Sequence, residues 1–523
     1  MGLNIFSPWL LLGGFIVLFL LQRLIEFWKF TRLMRGNPGY RTVLSQRTIF
    51  GNLFPAIPGV TPGMNSNFLN KHKIFQYYGN DVIVNVSAFP CEPFVNIADP
   101  AIVKEVTSSR ARFPKPVRQY TVLTFFGKNI VVSEGEEWKK YRKISAPAFS
   151  DRNNKLVWDE SIRIMMDMFE NIWGAQDTIV ADHCVDITLP IALFVIGVAG
   201  FGRKISWKED LVVPPGHKMT FKDALHEVTI GVFTKALFPK WAMNMTERLR
   251  KVQLAFDELD QYMMEMIANR RNAEKKEERY DLFSSLLDAN DEESPDGEAK
   301  LTERELIGNI FIFLVAGHET TAHTLCYTFG LLALYPDEQE KLYQQIKSLT
   351  PNGRLPAYEE MPLFTQSMAV FYETLRLFPP VNAIPKYSAE DTVFNTVNHA
   401  GERVAIPVPK GTNLMLNTPA LHYNPRYWKD PEEFNPDRFL GDWPREAFVP
   451  FSVGARACIG RKFFETEGIA ILTTLVSKYK IEVKEEPQFA RETFEERKAR
   501  IFATRPGITL TPVRMPLVFK RRD

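Results

Sequence analysis

The sequence predicts a mainly α fold with a small β region, behind one N-terminal transmembrane helix. Three stretches predict it. Leu301 to Tyr335 reads as one very long helix, opened by a Thr302-x-x-Glu305 capping box and stopped by Pro336. Residues 155–300 carry mostly helical patterning. From about Asn67 to Val103 the pattern alternates, as in Val82-Ile83-Val84-Asn85-Val86 and Phe94-Val95-Asn96-Ile97, which suggests a small sheet.

At the N-terminus, Ile5 to Leu21 carries no charge. At ~1.5 Å per residue it spans roughly 26 Å, the short end for a membrane helix. Leu24, Ile25, Phe27 and Trp28 extend its apolar character. Arg23, Lys29, Arg32 and Arg35 follow, and nothing basic precedes. The positive-inside rule then puts the C-terminal side in the cytosol. A cleaved signal peptide would need a basic leader and a small-residue cleavage site, and this stretch has neither. Pro38, Pro55, Pro58 and Pro62, with Gly36, Gly39, Gly51, Gly59 and Gly63, make a helix-poor linker. The division expected is therefore an anchor over 1–28, a basic and Pro/Gly-rich linker over 29–66, and one large domain over 67–523.

Composition narrows the function. The chain of 523 residues, 45% hydrophobic and 24% charged, can build a core large enough to enclose a cofactor. A net charge of +2, with no basic run interleaved with aromatics, gives no reason to expect nucleic acid as a partner. Cys91, Cys184, Cys326 and Cys458 form no C-x-x-C pair, which argues against a structural zinc site. If Cys458 serves as a ligand, an odd number of cysteines remains, and a reducing compartment follows. The sequons at Asn85 and Asn244 are then expected to be unmodified.

Between the sheet and the long helix the chain gives less chemistry. Phe113 to Glu137 is irregular and aromatic-rich, with Phe113, Tyr120, Phe125 and Phe126, for any one of which ordinary core packing would account. Leu237 to Met243 clusters large apolar residues between Lys235 and Lys240, as either an interfacial patch or buried core. Arg270 to Lys300 is charge-rich, the pattern of a solvated loop.

The chemistry concentrates in Phe451-Ser452-Val453-Gly454-Ala455-Arg456-Ala457-Cys458-Ile459-Gly460. A thiol just before a helix N-terminus is biased towards thiolate, because the dipole and free N–H groups favour negative charge. Gly454 and Gly460 allow tight turns and close approach by a flat ligand. Arg456 adds a fixed positive charge, and a thiolate so held suits a soft or borderline metal. A lone cysteine reads equally well as a buried structural residue. The full spacing Phe-x-x-Gly-x-Arg-x-Cys-x-Gly, however, resembles the haem-binding loop of the cytochrome P450 family at every fixed position.

That resemblance covers nearly the whole chain and implies a cytochrome P450-like fold. It makes Cys458 the axial thiolate ligand of the iron of haem b, places Phe451 over the sulfur, and pairs Arg456 with a haem propionate. A thiolate ligand favours O–O cleavage over oxygen carriage. Trp138 and Arg142, four apart on one helix face, match the family's W-x-x-x-R motif and would serve a propionate. Lys386 stands where many relatives have arginine for the same purpose, but without the bidentate fork.

Ala316-Gly317-His318-Glu319-Thr320-Thr321 matches the family's A-G-x-[DE]-T-[TS] motif. Gly317 costs a helix about 1 kcal/mol against Ala, and its use is read as room for a flat macrocycle and oxygen. Thr320 is placed to bond the carbonyl of Ala316 or to release it. By resemblance, Thr320 donates through water to the distal oxygen and Glu319 belongs to the proton relay. Glu373-x-x-Arg376 and Arg438 resemble the family's buried ion network that holds the cysteine loop. The edge at 380–384 and the turn at 505–508 are expected to border the substrate.

The reading is a membrane-anchored haem-thiolate monooxygenase, using O2 and electrons from an NADPH-dependent flavoprotein reductase. Lys139, Lys140, Lys143, Arg461 and Lys462 suit a docking patch for that reductase or ordinary surface charge. The substrate expected is apolar, a sterol-derived or triterpenoid molecule of fungal secondary metabolism. The location implied is the endoplasmic reticulum membrane, with a single pass and the catalytic domain in the cytosol. A haem-thiolate isomerase or dehydratase that uses no O2, and a non-catalytic haem-binding protein, are the alternatives.

Overall fold

Strands form early in this chain where β-branched residues run together. The computed structural model describes residues 8–34, 36–48, 50–52, 54–202, 207, 212–272, 281–291 and 300–522. The first residues of the apolar run, Arg35, and the charged stretches 273–280 and 292–299 lie outside the described residues. The described chain divides into two compact units.

The first unit comprises Met1–Pro116, Val381–Glu432 and Pro444–Ala457. Its N-terminal helix, Pro8–Leu33, continues past Trp28 and takes Lys29 and Arg32 into its last turns. Within it, Leu11–Leu33 has a mean hydropathy of 1.7 and is long and apolar enough to cross a membrane. A five-stranded sheet follows, in spatial order Arg41–Leu44, Val82–Phe89, Cys91–Ile97, Asn413–Asn417, Ala383–Tyr387. The Val82–Phe89 and Cys91–Ile97 strands pair antiparallel with Val84 opposite Val95. Only part of the stretch from Asn67 to Val103 is sheet. Ser66–Asn70 and Lys73–Tyr78 are short helices, and Pro100–Ser108 is a third. Asp99 starts that third helix by accepting from the N–H groups of Ala101 and Ile102, and Pro100 fills the first helical position.

The segment leading to Cys458 is held inside this unit. The His422 Nε2 accepts the N–H of Val449 at 2.9 Å. Gly454 has φ +73°, and a Cβ there would lie 2.6 Å from the Thr107 carbonyl oxygen. Backbone occupies that space, so only glycine fits.

The second unit comprises Val117–Pro380, Glu433–Trp443 and Cys458–Asp523. Its central helix, Glu303–Leu334, opens with the expected capping box between Thr302 and Glu305 and ends one residue before Tyr335. The preceding stretch is helical, as expected, with two additions. Two helices end in π-helical turns, at Met168–Trp173 and Ile196–Gly200. Thr178–Ala181 is a strand, the edge of a three-stranded sheet with Leu517–Arg521 and Tyr479–Val483.

Helix Thr365–Leu377 carries the ion network expected from Glu373-x-x-Arg376. Arg376 donates to both oxygens of Glu373, at 2.7 and 2.8 Å, and the pair is fully buried. Glu373 Oε1 also accepts from Arg438 Nε at 3.2 Å and from the N–H of Asn435 at 3.0 Å. Arg376 Nη2 donates to the Glu433 carbonyl at 3.1 Å. The network therefore ties residues 433–438 to the helix.

Removing the carboxylate leaves Arg376 charged in a place water cannot reach. Glu373→Ala is expected to cost about 3–5 kcal/mol and to lower the yield of folded protein. Thermal unfolding within error of wild type would show that the network carries no stability.

Candidate active site

The central helix is buried along its interior, with one local exception. From Leu306 to Leu332 every side chain is buried except those of Ala316, Gly317 and Thr320. Positions i, i+1 and i+4 share one helix face. The helix thus has a single open face, and the sequence motif sits on it.

Polar groups beside that face are answered from inside the second unit. Thr320 donates to the Ala316 carbonyl at 2.6 Å, the bond its spacing predicts. Thr321 donates to the Gly317 carbonyl at 3.0 Å and lies 3.2 Å from Glu467 Oε2. Glu319 is 8% exposed. Burial pushes its carboxyl up to about 7, against smaller opposing effects from the Thr229 hydroxyl and the Arg505 charge. A carboxyl with that value exchanges protons readily near neutral pH. His318 is buried and held neutral, its value lowered to about 3 by burial and by His323 and His226.

Gly317 has a different neighbour from the one expected. A Cβ there would lie 2.9 Å from Ile196 Cδ1. Ile196 of the π-helical turn therefore packs where a side chain would stand, while the glycine itself stays part of the open face.

Cys458 precedes helix Arg461–Lys478, which is capped by Gly460. Its side chain is exposed, yet enough protein lies around it for desolvation to act on the thiol. Burial raises its pKa. The Gly460 N–H and the charges of Arg142 and Arg461 act the other way without cancelling it. The expected bias towards thiolate is therefore present in the donors but outweighed by desolvation. Arg142 and Trp138 sit together on helix Gly135–Ser145, with Trp138 buried. The Arg142 guanidinium interacts electrostatically with Cys458, its own pKa lowered by burial.

The remaining predicted residues belong to the first unit. Phe451 is half-buried, Arg456 lies in a short 3-10 turn, Gly454–Arg456, and Lys386 is buried on strand Ala383–Tyr387. The basic residues proposed for docking are less available than their sequence suggests. Lys140 pairs with Glu305 at 3.0 Å, Lys139 with Glu136 at 2.6 Å and Arg461 with Glu465 at 2.7 Å. The 237–243 cluster splits: Leu237, Phe238 and Trp241 are exposed, while Ala242 and Met243 are buried.

Sequence reading missed Glu467. Its carboxyl is fully buried and held well above its ordinary value by desolvation, with Thr321 opposing. A signal existed: Phe463 to Val476 is buried all round, so any acid within it must be buried too.

The model of the family described as cytochrome P450 matches residues 46–509. The chain belongs to the cytochrome P450 family. It is 56% identical over 505 residues to "Cytochrome P450 monooxygenase 124" of Postia placenta, covering 96% of this chain and 97% of that protein. It is 32% identical over 426 residues to "Cytochrome P450 monooxygenase ORF6" of Penicillium roqueforti, with 73% of each chain covered. The fold is similar to that of a cytochrome P450DA heme domain, with TM-score 0.74, 23% identity, and coverage of 93% of this chain and 98% of that one. This P450 is an oxidoreductase of the monooxygenase type, with haem whose iron is bound through a thiolate. Like others of its family it uses O2, a redox partner and a small-molecule substrate. The accessible thiol beside a helix start and the open face of the central helix fit that cofactor.

The value near 7 at Glu319 has a consequence for stability. The native carboxyl keeps its proton up to about pH 7, whereas unfolded chain releases it near the ordinary 4.5. Folding takes up a proton between those values, so this group's contribution falls as pH rises from 4.5 to 7 and is constant above. Glu319→Gln should melt above wild type by a margin that grows over that window, to at most about 3 kcal/mol. A margin independent of pH would remove burial as the cause.

Proposed function

We propose that this P450 is a membrane-anchored monooxygenase that inserts one oxygen atom of O2 into a C–H bond of an apolar substrate, a sterol-derived or triterpenoid molecule of fungal secondary metabolism. The observation that carries the reading is the pairing, within one unit, of an accessible thiol at Cys458 with a buried helix open only at Ala316, Gly317 and Thr320. The two fungal relatives named as monooxygenases support it, as does the relative named cyclooctat-9-en-7-ol 5-monooxygenase from Streptomyces melanosporofaciens, 33% identical over 266 residues. The apolar helix Leu11–Leu33 and the exposed Leu237, Phe238 and Trp241 support attachment to a membrane, that of the endoplasmic reticulum with the catalytic part in the cytosol. The division proposed is an anchor over 1–28, a linker over 29–66 and a catalytic part over 67–523.

In this reading Cys458 is the iron ligand, Phe451 and Gly460 shape its surroundings, and Trp138, Arg142, Lys386 and Arg456 serve the propionates. Bound haem supplies the activation of O2. The chain's own work is to position and to move protons. Thr320 exchanges its bond to the Ala316 carbonyl for a water, and Glu319 passes a proton towards that water from a group poised near neutral pH. Electrons come from an NADPH-dependent flavoprotein reductase.

Reduced protein with carbon monoxide is the first test. A strongly red-shifted band that disappears in Cys458→Ala is expected; a band unchanged in that variant would refute the ligand assignment. With reductase and a terpenoid panel, wild type should couple NADPH and O2 consumption to hydroxylated product. Thr320→Ala should keep the haem spectrum but release hydrogen peroxide in place of most product, and undiminished coupling would remove Thr320 from the proton path. Turnover without O2 would favour the isomerase class instead.

A further inference from the structure

The first unit contains a cluster that no motif marks. His72, Asp81 and His399 each present one ligand-type atom, and these atoms lie within 4.8 Å of one another. His72 immediately precedes helix Lys73–Tyr78, and Asp81 immediately precedes strand Val82–Phe89. His399 stands in the turn between strands Thr392–Val397 and Arg403–Val408. Three separate segments therefore converge on one point.

The hydrogen-bond geometry leaves one buried acceptor at that point unanswered. The His72 Nδ1 lies 3.0 Å from the Ala420 carbonyl oxygen, which only accepts, so the ring proton is on Nδ1. A neutral ring then has its lone pair on Nε2. That atom faces Asp81 Oδ1 at 3.3 Å and has no hydrogen-bond partner among the described residues. His72 is 4% exposed and Asp81 0%. Two buried acceptors are thus aimed at each other.

The second histidine completes a ligand set. His399 Nε2 lies 2.9 Å from the same Asp81 oxygen, and its side chain is 24% exposed. Its backbone N–H donates to the Gly79 carbonyl at 2.8 Å, which fixes the turn in place. In a tetrahedral site with bonds of about 2.0–2.1 Å, ligand atoms stand roughly 3.4 Å apart. The spacings of 3.3 and 2.9 Å are close to that. Two imidazoles and one carboxylate select zinc or a neighbouring transition metal over magnesium or calcium. The Ala420 carbonyl already does what an outer partner does for a metal-bound histidine, fixing its tautomer. Arg426 donates to Asp81 Oδ2 at 2.9 Å, which leaves Oδ1 as the one coordinating oxygen. Its charge also opposes a cation, and being half-exposed it does so through solvent.

We propose that His72 Nε2, Asp81 Oδ1 and His399 Nε2 form a zinc site separate from the haem, with water completing the coordination on the exposed side of His399. Metal binding at His399 Nε2 requires the ring proton on Nδ1, so the neutral ring exchanges its bond to Asp81 for the metal by changing tautomer, with no net release of a proton. The metal would fasten the hairpin turn at 399 to the strand and helix beside it. The sequence argument against structural zinc concerned cysteine ligands, and this set uses none.

The test uses untagged full-length holoprotein in detergent, dialysed against a chelator and titrated with zinc chloride. Zinc and iron are counted separately by mass spectrometry. The expected result is one zinc per chain and a raised melting temperature. His399→Gln keeps a donor for Asp81 and so preserves the fold, but it supplies a poor ligand. It should keep the haem spectrum, bind zinc at least about tenfold more weakly and lose the thermal gain. Wild type without stoichiometric zinc, or His399→Gln with undiminished zinc, would overturn the site.

Discussion

A polar group on a buried helix must be answered from within the protein, and the second unit is organised by that constraint. The central helix carries Asn309, His318, Glu319, Thr321, His323, Thr324 and Thr328 into its buried length. Most are answered locally. Asn309 accepts the N–H of Ile130 at 3.0 Å and donates to the Glu305 carbonyl at 2.7 Å. Thr324 and Thr328 return their protons to carbonyls one turn back, both at 2.8 Å. Thr320 does the same, but on the open face, where water competes for the bond. The same back-bond is structural at 324 and 328 and exchangeable at 320, and exposure alone makes the difference.

Much of this was legible in the sequence because it is short-range. The capping box at Thr302 and Glu305, the bond from Thr320 to Ala316 and the pairing of Glu373 with Arg376 all join residues three or four apart. Helical geometry fixes such pairs before any tertiary contact forms. What the sequence did not reveal spans long separations. Glu467 meets Thr321 across 146 positions, and Ile196 fills the gap beside Gly317. Neither pairing has a local signature. The short helices at 66–78 were misread for a related reason. Lys73-Ile74-Phe75-Gln76-Tyr77-Tyr78 is too short for a helical period to show, and β-prone aromatics weigh towards strand.

Buried carboxyls in the second unit take two opposite forms. Glu373 is surrounded by Arg376, Arg438 and a peptide N–H, so its charge is fully answered and the group is fixed. Glu319 and Glu467 have hydroxyl neighbours, and burial raises both. Carboxyls of one residue type thus sit in opposite settings, one inside an ion network and two facing hydroxyls, because their neighbours differ in charge.

Cys458 stands between those cases. Burial raises its thiol, as it raises Glu319, but here a peptide N–H from Gly460 and two guanidinium groups work against it. Those donors reduce the cost of the anion without removing it. The anion is therefore disfavoured in this loop, and under the proposed ligation the iron would favour it, since metal binding and loss of the thiol proton are linked.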